Sequence, residues 1–482
     1  MYNERYRPQF HFSPKENWMN DPNGLVYFEG EYHLFYQYHP DGTKWGPMHW
    51  GHAVSKDLIH WDHLPIALFP DELGTIFSGC AVVDYGNTSG LKDGDEDVMV
   101  AIFTQHEEGN QKQSIAYSHD RGRTWMKYQN NPVIANPGLK DIRDPKVFWH
   151  KDAKKWIMSL ACGDHIRFYG SSNLLEWEHM SSFGEGYGAH GGVWECQDLI
   201  EVPVKGSEEK KWVLIVSINP GAPNGGSGMQ YFVGEFDGET FHSDESPETT
   251  RWVDYGRDFY AAVSWLDTPT RERIWIGWMS NWQYANEVPT HPWRSAMSIP
   301  RVLTLTKTDS VYNLVQTPVK DIEQLRTRET IEEHDVIIHK EKPLKLSGVG
   351  PLLEMDIEVK EAQTDSWGIH VRHGESQTTI AFHLKEGQWF IDRTQSGEVD
   401  FSREFPSKDI APFEKEVKKV QFYLDTSSLE VFLNDGESVM TELIFPSQED
   451  VEMELFATNG EVVFENVKVT NLKGIWEKER EL

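Results

Sequence analysis

Three acidic residues occupy equivalent positions of a coarse internal repeat: Asp21, Asp144 and Glu195. Each has an ordinary structural interpretation when it is taken singly. The string NDPNG around Asp21 suits a turn, RDP around Asp144 suits an ion pair before a strand, and Glu195 suits an edge strand. Their shared phase favours another interpretation, because a fold that repeats around an axis brings equivalent positions together. Carboxyl side chains gathered in this way could act as nucleophile, acid or base.

The elements that must position these acids are short β-type runs, which fill residues 1 to about 316 between Gly, Pro, Asn and Asp. Several runs alternate apolar and polar residues with period two, as half-buried strands do. Five similar phrases recur at intervals of 51 to 66 residues, starting near Asp21, Ser78, Asp144, Glu195 and Asp258. Five repeats of about four strands each predict a five-bladed β-propeller, whose inner strands would begin around a central channel. A pair of β-sandwiches is the alternative.

The pattern changes after Pro318. A charged stretch, Val319–Glu332, contains helix formers and indicates a connector. From about residue 335 the chain has longer alternating strands, with turn signals at Asn434-Asp435-Gly436 and Asn459-Gly460. These features are typical of a β-sandwich. The sequence therefore predicts an all-β protein with a propeller at 1–318, a connector at 319–334 and a β-sandwich at 335–482.

The charge balance restricts the possible partners. The 482 residues include 46 Lys and Arg against 77 Asp and Glu, which gives a net charge of −31. A surface this acidic repels phosphate backbones and anionic lipids, so we expect no nucleic-acid partner and no membrane partner. No apolar run approaches the ~20 residues that span a bilayer. A neutral ligand is compatible with the charge.

The sequence offers no motif for a cofactor or a metal. Three cysteines without a CxxC pair fit neither a disulfide framework nor a cysteine zinc site. The cluster of His49, His52, His60 and His63 lacks the spacing of zinc ligands. The glycine-rich stretch Gly184–Gly192 lacks the lysine of a phosphate-binding loop. We therefore expect no cofactor and no catalytic metal.

The first ten residues, Met1 to Phe10, carry charges and no apolar segment of the kind found in signal peptides. A protein that starts at Met1 is expected in the cytoplasm. A secreted protein that has lost its signal peptide would look the same, so both locations stay open.

Five short motifs stand in one order along the chain: WMNDPNG, FYQ, FSG, RDP and WEC, at Trp18–Gly24, Phe35–Gln37, Phe77–Gly79, Arg143–Pro145 and Trp194–Cys196. Together they resemble glycoside hydrolase family 32, which contains invertases, levanases, inulinases and related β-fructosidases. The stretch Lys44–Trp61 is most similar to bacterial levanases and exo-acting fructan hydrolases. The resemblance covers almost the whole chain, since further similar segments are Gly225–Gly234, Asp258–Ala261, Gly277–Tyr284, Asp392–Gly397 and Leu429–Gly436.

The resemblance implies a role for each acid. Asp21 would be the nucleophile at the anomeric carbon of a fructofuranosyl unit, and Glu195 would be the acid/base. The outcome would be retention through a covalent intermediate. Asp144 would stabilise the oxocarbenium-like transition state and bind sugar hydroxyls together with Arg143. One departure concerns Gln197, where many family members have proline after the Glu-Cys pair.

The same resemblance implies a set of substrate-binding residues around the acids. Polar contacts to the terminal fructose would come from Asn20, Gln37 and Ser78. An apolar wall would be formed by Trp18, Trp45, Phe77 and Trp278. An apolar wall with a few convergent polar groups is typical of a concave pocket that binds a small molecule.

The activity implied is an exo-acting β-fructosidase that releases fructose from levan, inulin-type chains or sucrose. Three alternatives stay open: an invertase restricted to sucrose and short oligosaccharides, an endo-levanase, and a propeller that binds fructan without cleaving it. A sucrose-6-phosphate hydrolase is less favoured, because it needs a basic spot at the rim of an acidic protein. The sequence decides neither the preference for β-2,6 or β-2,1 linkages nor the oligomeric state.

Overall fold

The computed structural model describes residues 2–413 and 415–476. Strands dominate this part of the chain, and they form five small sheets followed by two six-stranded sheets. The predicted all-β class, with a five-bladed propeller followed by a β-sandwich, is confirmed. Among the described residues, no helix is long and apolar enough to cross a membrane.

In each of the five propeller sheets, four strands run in chain order from the inner strand outward, with antiparallel pairing. The first sheet contains β1 (Asn17–Phe28), β2 (Glu31–His39), β3 (His49–Ser55) and β4 (Trp61–Leu68). The second contains β5 (Thr75–Asp84), β6 (Val98–Glu107), β7 (Asn110–Ser118) and β8 (Met126–Lys127). The third contains β9 (Arg143–His150), β10 (Lys155–Cys162), β11 (His165–Ser171) and β12 (Glu178–Phe183).

The fourth sheet contains β13 (Val193–Pro203), β14 (Lys210–Asn219), β15 (Gly228–Phe236), β16 (Phe241–Ser243) and β17 (Arg251–Trp252). The fifth contains β18 (Tyr260–Ser264), β19 (Arg273–Met279), β21 (Ala296–Met297), β22 (Arg301–Thr308) and β23 (Val311–Pro318). A further two-residue strand, β20 (Trp293–Arg294), pairs in parallel with β1 of the first sheet. The inner strands β1, β5, β9, β13 and β18 contact one another in turn, and β18 contacts β1. The ring is therefore closed, and the starts of these strands surround its axis.

The second domain consists of two sheets packed around one apolar core. One sheet has the order β24-β35-β26-β31-β32-β33, formed by Arg326–His339, Gly460–Leu472, Leu353–Thr364, Lys419–Asp425, Ser428–Leu433 and Ser438–Leu443. The other has the order β25-β34-β27-β28-β29-β30, formed by Leu344–Val349, Val451–Ala457, Ser366–His373, Ser376–His383, Gln388–Gln395 and Lys408–Pro412. Of the ranges predicted for the two domains, Met1, Glu414 and 477–482 lie outside the described residues.

The predicted connector at 319–334 differs from the structure. Only Lys320–Leu325 is helical, as a single 3-10 helix that buries Ile322 and Leu325. Residues 326–334 already belong to strand β24, because they pair with β35 along the edge of the sandwich. The charged side chains that suggested a connector are the exposed residues of an edge strand, where charge discourages pairing with another chain.

The two domains are joined by buried ionic contacts. His11, which precedes the first blade, has no exposed surface in its side chain and lies 2.7 Å from both Asp425 and Glu430 of the sandwich. Burial opposes a charge on His11, but the hydrogen bonds to the two carboxylates outweigh it and raise the pKa of this imidazole to about 9. The imidazolium therefore contributes to the stability of the domain interface.

We expect the melting temperature of the protein to fall as the pH rises from about 6.5 to above 9. The contribution of His11 is fully present below its unfolded-state pKa near 6.5 and is lost as the pH passes its folded-state pKa of about 9. The free energy involved is of the order of 3 kcal/mol, at about 1.4 kcal/mol per pH unit. Differential scanning fluorimetry of the wild type and His11→Gln, at pH values from about 6.5 to above 9, measures the fall in melting temperature. Identical slopes in the two proteins would contradict the assignment.

Candidate active site

A one-residue irregularity interrupts each of the five inner strands near the axis. In β1 the register shifts between Met19 and Pro22, so that Asn20 and Asp21 lie in a bulge. The pairing with the neighbouring strand shifts in the same way around Ser78, Asp144, Cys196 and Ala261. A bulge bends the strand and redirects its side chains. The bulges thus explain how residues at equivalent positions of the five blades can point into one site.

Three of these bulge residues have left-handed backbone conformations although they carry side chains. The φ angles are +63° at Asp144, +43° at Cys196 and +53° at Ala261. Such conformations are unfavourable for residues other than glycine, and they concentrate where surrounding structure holds a functional side chain. The strained positions therefore lie at, or within three residues of, positions that the repeat phase marks in the sequence.

The carboxylate of Asp21 is surrounded by hydrogen-bond donors. The hydroxyl of Ser78 donates to Oδ2 at 2.7 Å, and the thiol of Cys196 donates to the same oxygen at 3.2 Å. The amide of Asn20 donates to Oδ1 at 3.1 Å. Asp21 is 8% exposed.

Asp144 and Cys196 join the third and fourth blades. The backbone N–H of Cys196 donates to Oδ2 of Asp144 at 3.0 Å, and the backbone N–H of Asp144 donates to the hydroxyl of Thr104 at 3.0 Å. Gln197 donates to the carbonyl of Asp144 at 2.6 Å and to the carbonyl of Ser159 at 2.7 Å. Gln197, which departs from the family pattern, therefore supports the strained backbone at Asp144.

Glu195 is held from two sides. Arg143 donates from Nη2 to Oε1 at 2.9 Å and from Nε to the same oxygen at 3.3 Å. The hydroxyl of Tyr260 donates to Oε2. Arg143 also donates to Asp141 at 2.7 Å, and its Nε lies 3.9 Å from Asp144. One guanidinium thus links two of the three acids.

The electrostatics of the cluster follow from burying several carboxyls together. Burial raises the pKa of Asp144 to about 7, against the effect of Arg143 and with a further contribution from Glu195 and Asp21. Burial and the charge of Glu195 also raise the pKa of Asp21, although Ser78 and Asn20 oppose them. The pKa values of the Cys196 thiol and the Tyr260 hydroxyl rise well above their ordinary values, because both groups are buried beside carboxylates. Both groups therefore stay protonated and act as donors.

The sequence-predicted polar residues lie where the five blades meet, with one difference. Asn20, Ser78 and Arg143 contact the acids directly, as described above. Gln37 is buried, but its amide donates to Asn23 and to the carbonyl of Ile76, each at 3.0 Å. Its amide therefore binds neighbouring groups of the first two blades and not the acids.

The four aromatic residues of the predicted wall divide into two pairs. Trp18 and Trp278 have no exposed surface and belong to an apolar cluster in which Trp282 stacks on Trp18 at 6.0 Å. Trp45 is 46% exposed and meets the half-buried Phe77 edge to face at 6.2 Å. In this structure only the second pair presents an open aromatic surface, whereas the first packs against its neighbours.

Two members of the cluster had no role in the sequence interpretation: Tyr260 and Cys196. The repeat phase pointed to Asp258 in the fifth blade, yet β18 begins at Tyr260, so the residue at the site lies two positions later. Cys196 was visible only as a neighbour of Glu195. A rule that looks for a hydroxyl or thiol within two positions of each phase-matched acid would have found both.

The described residues contain no group of three or more His, Cys, Asp and Glu side chains arranged to hold a metal ion. The acids of the site accept hydrogen bonds from protein donors, and Arg143 is the donor to Glu195.

Comparison with known proteins finds the two models of one family, one along each domain. The family model described as glycosyl hydrolases family 32 N-terminal domain matches residues 11–318, and the C-terminal model of that family matches residues 321–471. A levanase of Bacillus subtilis strain 168 is 53% identical over 98% of this chain and 72% of its own length. An extracellular exo-inulinase of Aspergillus niger is 39% identical over 98% of this chain and 96% of its own.

Two solved structures are similar over nearly the whole chain. The crystal structure of exo-inulinase from Aspergillus awamori aligns with a TM-score of 0.93 at 38% identity, covering 99% of this chain and 100% of that one. A β-fructofuranosidase from Schwanniomyces occidentalis complexed with fructosyl-erythritol aligns with a TM-score of 0.90 at 36% identity, covering 98% of each chain. With family models over both domains and relatives this similar, the chain belongs to glycosyl hydrolase family 32 and is a glycoside hydrolase.

Proposed function

We propose that this glycoside hydrolase is a retaining, exo-acting β-fructofuranosidase that releases terminal non-reducing fructose from levan, inulin-type chains and sucrose. The observation that carries the proposal is the cluster in which the buried Asp21 and the partly exposed Glu195 are held by separate sets of donors. The names of the relatives, levanase and exo-inulinase, agree with this substrate class.

In the first step, Asp21 attacks C2 of the terminal fructosyl unit and the bond from C2 to the leaving oxygen breaks. The donors on Asp21, Ser78 and Cys196 on one oxygen and Asn20 on the other, fix the direction of the carboxylate. Glu195 gives its proton to the leaving oxygen in the same step. The result is a covalent fructosyl ester of Asp21.

In the second step, Glu195 takes a proton from water, which attacks C2 and releases Asp21. Two inversions give overall retention. After the first step Glu195 is an anion, and the donors on its two oxygens, Arg143 and Tyr260, hold that anion in place. Asp144, aligned by the backbone N–H of Cys196, places its carboxyl beside the sugar that carries positive charge in both transition states.

Exo action is supported by the burial of the polar groups. Asn20 and Gln37 are each 3% exposed and Ser78 is 5% exposed, around an Asp21 that is itself buried. A chain that continued past the terminal fructose would need this side of the site to open. It would also leave buried polar groups unpaired, at about 1–3 kcal/mol each. Internal binding is therefore disfavoured.

We expect free fructose to be the only early product from levan, while the average size of the polymer falls slowly. Chromatography of the products before a few per cent conversion measures this, with inulin and sucrose as parallel substrates. Initial rates on the three substrates also separate a fructan hydrolase from an invertase restricted to short sugars. Early levanbiose or a ladder of oligomers would overturn exo action and favour an endo-levanase. Absence of any cleavage by the pure protein would favour the binding propeller.

A further inference from the structure

Two sequence motifs lie far apart along the chain, and the structure brings them together. One is Asp258–Ala261, which leads into the inner strand β18 of the fifth blade. The other is Asp392–Gly397, which lies at the end of β29 in the sandwich. They meet at the domain interface through Arg393 and Asp258, neither of which has any exposed surface.

Arg393 is fixed from both domains. Its Nη1 donates to Oδ2 of Asp258 at 2.5 Å, and its Nη2 donates to the hydroxyl of Tyr284 at 2.8 Å. Within the sandwich, its Nε donates to the hydroxyl of Ser407 at 2.9 Å, and the guanidinium lies 4.2 Å from the ring centre of Phe405. Tyr284 in turn donates to the other oxygen of Asp258 at 2.7 Å. The orientation of Asp258 is therefore determined on both of its oxygens.

The backbone before β18 runs along the edge of the sandwich. We call residues 254–258 the interface segment. The N–H of Tyr255 donates to the carbonyl of Val439 at 2.9 Å, and the N–H of Asp258 donates to the carbonyl of Thr441 at 3.1 Å. In the other direction, the N–H of Leu443 donates to Asp258 Oδ2 at 2.8 Å. The interface segment thus covers the edge strand β33 with main-chain hydrogen bonds.

The approach between the interface segment and β33 has no room for a side chain at Gly256. A Cβ built there would lie 2.2 Å from the carbonyl oxygen of Thr441 and 2.3 Å from its nitrogen. Both are backbone atoms, which cannot rotate away. An alanine at this position would therefore push the interface segment off the sandwich.

The interface segment ends two residues before Tyr260, which donates to Glu195. The intervening Phe259 is buried, with its ring 5.6 Å from that of Trp275 and 4.2 Å from the guanidinium of Arg301. No loop lies between the contact with the sandwich and the contact with Glu195. A displacement at Asp258 is therefore passed on to the hydroxyl of Tyr260.

We propose that Arg393 and Asp258 are positioning residues, through which the β-sandwich sets the place of Tyr260 on Glu195 and hence the efficiency of proton transfer. This inference rests on the proposed role of Glu195 as acid/base. A buried ion pair is often no more stabilising than apolar residues of the same size. The pair does fix the direction from the Arg393 guanidinium to the Asp258 carboxylate. The hydrogen bond from Tyr260 to Glu195 requires such a fixed direction.

The test compares two leaving groups in three variants: Gly256→Ala, Asp258→Asn and Arg393→Lys. Sucrose needs protonation of its leaving oxygen, whereas an activated aryl β-fructofuranoside does not. We expect kcat/KM on sucrose to fall by about 10-fold or more in Gly256→Ala and Asp258→Asn, and kcat/KM on the aryl substrate to fall by less than about 3-fold. Arg393→Lys keeps the charge and is expected to retain more of the activity on sucrose than the other two.

Asp425→Asn serves as the matched control, because it removes a buried carboxylate of the same interface that faces His11 instead of the interface segment. It should lower the melting temperature and leave the ratio of the two kcat/KM values unchanged. Equal losses on both substrates in the folded variants, or no loss in either, would overturn the inference. If the other two variants do not fold, an unchanged ratio in Arg393→Lys overturns it. Glu195→Ala separates the two claims, since a missing leaving-group effect there would instead reject the proposed acid/base.

Discussion

Asp21→Asn is expected to lower kcat/KM on sucrose by about 10⁴-fold or more, because without the carboxylate no covalent intermediate forms. Asparagine has nearly the same shape, and its one carbonyl oxygen can accept the hydrogen bond from Ser78, although its amide nitrogen then replaces the oxygen that accepts from Asn20. Steady-state assays of a preparation free of wild-type enzyme measure the loss. Turnover within about tenfold of the wild type would remove Asp21 from the role of nucleophile.

The stability of Asp21→Asn provides the control for this result. Burial beside Glu195 raises the pKa of Asp21 in the folded protein, which means that its charge costs folding free energy at neutral pH. A neutral side chain of the same size removes this cost. We therefore expect a melting temperature at least equal to that of the wild type at pH 7, so that loss of activity with retained stability identifies a chemical effect.

Glu195→Ala is expected to lower kcat/KM on sucrose by about 10²–10⁴-fold, the usual contribution of a general acid. The loss on an activated aryl β-fructofuranoside should be much smaller, because that leaving group departs without protonation. Added azide should raise turnover of the aryl substrate and give a β-fructosyl azide, whose configuration also reports retention. Rates by spectrophotometry and the product by NMR measure both effects.

Glu195→Gln is the matched variant for this experiment. The amide keeps the length of the side chain and an oxygen that accepts from Arg143 or Tyr260, but it does not transfer a proton. It should lose activity on sucrose as Glu195→Ala does, and it should show little rescue because it leaves no space for azide. Equal losses of Glu195→Ala on both substrates, without rescue, would contradict the acid/base role.

The repeat phase of the sequence predicted the gathering of Asp21, Asp144 and Glu195, because a propeller has to bring the starts of its inner strands together. Ser78 stands at the same phase and donates to Asp21. For the same reason the five blades could be counted from recurring phrases, each of which corresponds to one sheet.

The local backbone of the site could not be predicted in this way. A bulge shifts the register by one residue, and nothing in the residue types at Cys196 or Ala261 announces a positive φ. These conformations are imposed by contacts with neighbouring blades, such as the hydrogen bond from the Cys196 N–H to Asp144. Tyr260 was not predicted because the fifth inner strand starts two residues after the phrase that marks it.

Tertiary contacts also explain two other differences between the sequence prediction and the structure. The charged residues 326–334 become an edge strand because β35, more than 130 positions later, offers pairing partners for Arg326 and for residues 330–334. Trp18 and Trp278 are buried because Trp282 and their other neighbours enclose them, which a motif alone does not show.

The segment that precedes the first blade has its partners at the far end of the sequence. The N–H of Gln9 donates to Asp425, 416 positions later, and Trp476 donates to the carbonyl of Pro8 across 468 positions. At a synthesis rate of about 5–20 residues per second, residues 8–11 therefore wait roughly 20–90 s on the ribosome before their binding surface exists. Contacts of this range also make folding slow once the surface has formed. The nascent chain is thus exposed to aggregation and proteolysis for the whole of this interval, and slower translation of the second domain would lengthen it.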